Sequence, residues 1–120
     1  MKVTSSRPHL AHHAALPKNV SNVIASAKGV IPSVLTPAQE KLLGKHPDVA
    51  GHGTTKGLAR MTYHFKNADE AKAMAKALNE GWDGIYENTN ECLDDVAVTD
   101  LKIKAEGRNV VIDLPFDKNA

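Results

Sequence analysis

The sequence predicts an α+β fold: two short N-terminal helices, then strands and a helix in the order β-α-β-β-β, with the one helix packed on a mostly antiparallel sheet. Helix caps and helical apolar spacing alternate along the chain with segments of strict apolar–polar alternation, which indicates helices and half-buried strands. A helix between such strands packs on one face of their sheet. A ferredoxin-like layout is one arrangement of this order. The 120 residues, 42% of them hydrophobic, suffice for one core.

Residues 1–16 differ in composition from the rest and are predicted to form a basic, histidine-containing N-terminal arm. They hold three histidines, no Asp or Glu, and no clear apolar period. The remaining residues, 17–120, are predicted to form a single α+β domain, because this length is typical of one domain.

Two helices are predicted after the arm. The first spans about 18–28, where Pro17 suits a helix start and apolar residues share one face. The second spans about 37–44, where Thr36 and Gln39 form the pattern of a capping box.

A loop, a strand and a longer helix are predicted next. Residues 46–57 are rich in glycine, which favours a loop. Residues 58–66 alternate between apolar and polar side chains, as a half-buried strand does. The helix at 68–80 begins at Asn67, with Glu70 three residues later in the manner of a capping box.

The C-terminal third is predicted to complete the sheet. Residues 82–86 are assigned to a short strand and residues 88–90 to a turn. Two further strands form a hairpin, the first starting or bulging near Thr99, where the apolar parity changes. The second covers 110–116, and Pro115 is expected at its fraying end or at a sheet edge.

The charges are segregated along the chain, although the formal net charge is only +1. Residues 1–76 hold eleven Lys and Arg against four Asp and Glu, whereas residues 77–101 hold seven acids and no base. Concentrated like charge repels itself in a folded protein, so a patch of this kind needs a compensating surface. That surface belongs either to the N-terminal arm of the chain or to a partner.

This segregation predicts a small, non-enzymatic protein-binding module of the inhibitor, adaptor or secreted-effector type. Its acidic surface would engage a basic surface of another protein, with a tyrosine as aromatic anchor. A homo-oligomeric structural subunit, whose arm contacts a neighbour's acidic patch, is an alternative. The predicted partner-binding residues are Asp83, Tyr86, Glu87, Glu91, Asp94 and Asp95.

A nucleic-acid-binding module is a second alternative, because residues 1–76 are basic. Its predicted contacts are Lys41, Lys45, Lys56 and Arg60. The aromatic–glycine strand signature of an RNA-recognition domain is absent from the sequence, so phosphate contacts would dominate such binding.

A small histidine-based metal protein or enzyme is the last alternative. His9 and His13 have the spacing of two ligands on one helix face, and His46 or His52 would complete a set. No catalytic residues and no cofactor are predicted, since no nucleophile, phosphate-loop or calcium-loop pattern matches. Acids surround Cys92, which disfavours its thiolate.

A cytoplasmic protein without membrane contact is predicted. The single cysteine gives no indication of an oxidising compartment. No apolar run approaches the roughly 20 residues of a membrane span, and the N-terminus lacks the apolar core of a secretory signal. The acid-free N-terminus would also suit an exported effector.

Overall fold

The structure, a computed structural model, describes residues 16–119, and the predicted arm lies outside this range except for its last residue. The helices of this range are α1 Lys18–Val30, α2 Pro37–Leu43, α3 Ala68–Glu80 and α4 Trp82–Glu91. A short 3-10 turn, Ile31–Val34, lies between α1 and α2. The strands are β1 Asp48–His52, β2 Lys56–His64, β3 Val96–Val98, β4 Lys102–Glu106 and β5 Asn109–Lys118. The predicted α+β class is confirmed.

The strands form one antiparallel sheet with the longest strand, β5, at its centre. On one side β5 pairs with β2, which in turn pairs with β1. On the other side β5 pairs with β3 and β4, which lie end to end. Since β5 is antiparallel to both neighbours, β2 and β4 run parallel with β5 between them. Strands β2 and β4, with the helices between them in the chain, therefore form one split β-α-β unit around β5, and edge strand β1 extends the sheet beyond β2.

All four helices cover one face of the sheet, and this face carries the core. Alternate residues of β5 are fully or almost fully buried there, including Ile112, Leu114 and Phe116. Val23 of α1 and Leu78 of α3 belong to the same buried cluster. The opposite face bears no helix within the described range, and we call it the open face.

The interruption between β3 and β4 explains a proline in the central strand. The backbone N–H of Thr99 donates to the carbonyl of Pro115 at 2.8 Å, so the N and C=O of Pro115 both face the gap between the two short strands. Because no ladder partner lies opposite its nitrogen there, Pro115 removes no hydrogen bond from the sheet. The change in apolar–polar alternation expected near Thr99 therefore appears as a break between β3 and β4. The prediction that Pro115 lies at a fraying end or a sheet edge is wrong, because it lies within the central strand β5.

The predicted helices correspond to α1, α2 and α3. Thr36 and Gln39 form the reciprocal capping box that the sequence predicts. The Asn67 side chain accepts a hydrogen bond from the Glu70 N–H at 2.9 Å and so caps α3. The predicted strand at 58–66 is β2, shifted by two residues.

Two segments differ from the predictions. The glycine-rich loop at 46–57 contains edge strand β1 and the start of β2, because its backbone pairs across the hairpin from Asp48–Thr62 to His52–Leu58. The predictions of a strand at 82–86 and a turn at 88–90 are wrong, because these residues form α4. More than one helix therefore covers the sheet.

Candidate functional site

Three carboxylates of the acidic segment 77–101 form an exposed ridge on α4, because helical spacing aligns them. Asp83, Glu87 and Glu91 follow each other at intervals of four residues, so they lie on one side of the helix, and all three are exposed. On the opposite side Ile85 and Thr89 are fully buried. We call the three exposed carboxylates the acid row.

Contacts at both ends of α4 hold the helix, and with it the acid row, in place. At the start, Gly81 permits a close approach, because a Cβ there would lie 2.5 Å from the Val34 side chain. Trp82 then donates its indole N–H to the Leu101 carbonyl at 2.6 Å. At the other end, the Asn90 side chain accepts from the Val98 N–H at 2.6 Å and donates to the Val98 carbonyl at 3.1 Å. The row therefore projects from a fixed helix.

Most of the charges of the acid row are in an unfavourable electrostatic environment. Carboxylates four residues apart on a helix repel each other by about 0.2–0.5 kcal/mol per pair. Asp83 is in the favourable first turn, but α4 has no base in its last turn, where Glu91 meets the negative end of the helix dipole. None of the three forms an ion pair with a residue of 16–119.

An aromatic pair borders the acid row. The rings of Trp82 and Tyr86 stack at a centroid distance of 4.9 Å with an interplanar angle of 10°. Tyr86 remains half-buried at the surface beside Glu87. A rigid, partly exposed ring next to charge is a typical interface anchor.

Asp94 and Asp95 lie apart from the acid row. They line a polar cavity of about 400 Å³ between α1 and the segment before β3, together with Lys18 and the exposed Cys92. Backbone carbonyls of this segment also receive hydrogen bonds from Asn119. The six predicted partner-binding residues therefore divide into a group on α4 and an exposed pair beside this cavity, and that pair forms no ion pair with Lys18.

The four predicted nucleic-acid contacts are not brought together. Lys56 and Arg60 alternate with the buried residues of β2 and so lie on the open face. Lys41 and Lys45 line a cavity with Tyr63, which belongs to the helix-covered face. The structure thus divides the set between the two sides of the sheet.

The basic groups of the open face are largely matched by acids. Arg60 donates to both carboxylate oxygens of Asp113, at 2.6 and 2.8 Å, and this pair raises the pKa of the guanidinium. Lys104 pairs with Glu106 at 2.9 Å. Strand register and alternation place the following charged residues on this face: Lys56, Arg60, Lys102, Lys104, Asp48, Glu106, Asp113 and Asp117. This face thus carries four Lys or Arg and four carboxylates, and two of the Lys or Arg form ion pairs.

The predicted histidine ligands do not assemble within the described residues. His9 and His13 lie outside this range, and His46 and His52 are both exposed. Across residues 16–119 no group of three His, Cys, Asp or Glu side chains could hold a metal ion.

His64 instead links three strands. Its Nε2 lies 2.6 Å from an Asp48 carboxylate oxygen and its Nδ1 lies 2.8 Å from the Asn109 side-chain oxygen. The hydrogen bond to Asp48, and next that to Asn109, raise the pKa of His64 above its usual value.

Sequence reasoning missed one group of side chains. Lys28, Lys41, Lys45 and Tyr63 line a single cavity of about 440 Å³. Lys41 and Lys45 are near neighbours in the sequence, but Lys28 of α1 and Tyr63 of β2 join them only through the fold.

Searches against protein-family models, curated proteins and solved structures find no match for the chain. Among the described residues, no helix has the length and apolar character that crossing a membrane requires.

Proposed function

We propose that this protein is a small non-enzymatic binding module, of inhibitor or adaptor type, that acts in the cytoplasm. It uses the acid row of α4 to engage a basic surface of another protein. Tyr86, beside the row, serves as the aromatic anchor. Asp94 and Asp95 flank the contact.

One observation supports this proposal above the others: the acid row is exposed, aligned and unpaired within residues 16–119 on a helix that is fixed at both ends. Its repulsion lowers the stability of the isolated chain, and a basic partner would remove that repulsion. A rigid helix also presents charges in a fixed order, which lowers the entropy lost on binding.

Such a contact depends on charge in a characteristic way. Complementary charges steer the encounter and set the register, while a buried anchor contributes more of the affinity. Association should therefore slow at high ionic strength, because salt screens exposed charges beyond roughly 10 Å at 0.1 M.

The test is photo-crosslinking from α4 in the host cell. A crosslinking side chain replaces Asn88, which is exposed and neutral on the same helix, and the captured protein is identified by mass spectrometry. The double variant Glu87→Lys/Glu91→Lys should abolish capture. The matched control is Glu106→Lys/Asp117→Lys, which changes the net charge equally on the open face and should leave capture intact.

Equal capture by both double variants would refute the proposal, as would a captured partner without a basic surface. Capture of a second copy of this chain, with a doubled mass in solution, would instead support the homo-oligomeric alternative. Thermal unfolding of each variant verifies that loss of capture is not loss of fold.

A further inference from the structure

The cavity missed by sequence reasoning lies where three elements meet the sheet. It is bounded by the last turn of α1, the 3-10 turn, α2 and strand β2, and its volume is about 440 Å³. Small-molecule sites commonly fall between roughly 300 and 1,000 Å³. We call this cavity the lysine pocket.

The rim of the lysine pocket is positively charged. Lys28, Lys41 and Lys45 line it against a single acid, Glu40. None of the four forms an ion pair with a residue of 16–119. Two of the lysines lie near helix C-terminal ends, whose negative dipole partly offsets their charge. Lys45 lies just beyond the C-cap Gly44 of α2, so the dipole of that helix offsets part of its charge as well.

The buried lining of the lysine pocket is largely apolar and includes one tyrosine. Leu43 and Tyr63 are only 6% and 4% exposed, and both line the cavity. The Tyr63 hydroxyl forms no hydrogen bond with any residue of 16–119. A tyrosine hydroxyl is protonated at neutral pH and can donate, and burial raises the pKa of Tyr63 further, to about 12.

The walls of the lysine pocket are fixed before any ligand arrives. Pro32 in the 3-10 turn and Pro37 at the start of α2 restrict the backbone. The capping box anchors the start of α2, and Gly44, with φ of 78°, turns the chain sharply after it. A preformed site loses little entropy when it binds.

We propose that the lysine pocket binds a phosphate monoester that carries a small apolar body. Such a group has close to two negative charges at neutral pH, which match three lysines opposed by one glutamate. Lysines bind phosphate as point charges, and a tyrosine hydroxyl can donate to a phosphate oxygen. The apolar lining and the prolines would contact the body of the ligand. This site is independent of the acid row.

The test is a titration followed by amide NMR shifts in the full chain. Phenyl phosphate is the main probe, phenol supplies the body alone, and inorganic phosphate supplies the charge alone. We expect saturable shifts around Lys28, Gly44 and Tyr63 with phenyl phosphate, at an affinity above that of either part.

Variants separate the site from general charge attraction. Lys41→Gln/Lys45→Gln should weaken phenyl phosphate binding by about tenfold per lysine, and Tyr63→Phe by about threefold to tenfold with the ring retained. The control Lys102→Gln/Lys118→Gln removes two exposed lysines outside the pocket and should leave the affinity unchanged.

Three results would overturn the proposal. They are the absence of a saturable shift at the pocket, equal weakening by the control pair, and equal affinity for inorganic phosphate and phenyl phosphate. The last would show that the apolar lining contributes nothing. Unfolding temperatures of all variants confirm that each retains the fold.

Discussion

The two outer edges of the sheet differ in how their backbone groups are hydrogen-bonded. Along β3 and β4, the backbone forms hydrogen bonds with side chains of the adjacent helices. Asn79 donates to the Ile103 carbonyl of β4 at 3.0 Å. Asn90 bonds to Val98 of β3, and Trp82 bonds to Leu101 between the two strands. At the opposite edge no side chain within residues 16–119 bonds to the β1 backbone, and most of that strand is exposed.

The difference shows two ways of protecting a sheet edge. Unpaired strand edges invite pairing with other chains, and proteins block them with covering elements or keep them short and charged. The β3–β4 edge is covered by polar side chains that replace a neighbouring strand. The β1 edge is five residues long and carries Asp48 and His52 on its open-face side. The covered edge also fixes α4, and therefore the acid row.

Removal of Trp82 should cause the largest loss at the covered edge. Trp82→Ala deletes the stack with Tyr86 and leaves the Leu101 carbonyl without its donor. We expect a loss of about 3 kcal/mol in the free energy of unfolding, because large aromatic truncations cost this much. Urea unfolding at unchanged m-value measures it.

Trp82→Phe separates the two contributions at this position. It keeps an aromatic ring against Tyr86 but leaves the Leu101 carbonyl unpaired, so the loss should be about 1–2 kcal/mol. If both variants were as stable as the parent, the covered edge would not depend on Trp82.

The sequence predicts α3 well because its signals are local. Asn67 caps it, and apolar residues such as Ala71, Met74 and Leu78 recur at helical spacing. The signals for α4 are not local. Its start contains Trp, Ile and Tyr near a glycine, which is typical of a strand, and the partners that make it a helix are backbone groups of β3 and the segment before β4. Tertiary context thus overrides propensity.

The candidate sites are predictable to different extents for the same reason. The sequence shows that acids gather between Glu80 and Leu101, since charge can be read directly. It does not show that Asp83, Glu87 and Glu91 form a ridge while Asp94 and Asp95 line a separate cavity, because that division depends on α4 being a helix. The lysine pocket escapes prediction because it forms only when residues 28–45 fold against Tyr63 of β2.

Asn90→Ala should have an intermediate effect at the covered edge. The substitution removes the donor and the acceptor that pair with Val98, and a loss of about 1–2 kcal/mol is expected. Hydrogen exchange at the Val98 amide should accelerate. Asn88→Ala on the exposed side of the same helix is the matched control, and its effect should stay within about 0.5 kcal/mol. Equal effects of both substitutions would count against the bonding role of Asn90.

The smallest effect is expected at the β1 edge, where Asp48 on β1 contacts His64 on β2. The folded-state pKa of His64 is raised, so the stabilisation from its protonated form is complete below the unfolded pKa of about 6.5. It is lost as the pH rises through the raised folded value. Both side chains are exposed, so solvent screens the contact and only the attachment of β1 should respond.

Comparison with Asp48→Asn makes this last prediction measurable. The substitution removes the strongest cause of the shift, so the pKa of His64, followed by its ring NMR signals, should move down toward its usual value. At acidic pH the β1 amides of the variant should exchange faster than those of the parent, and at alkaline pH the two should agree. His52→Asn, on the same strand, should leave the titration of His64 unchanged. If Asp48→Asn left that titration unchanged as well, the β1 edge would have no pH-dependent attachment, and only its shortness and exposed charges would protect it.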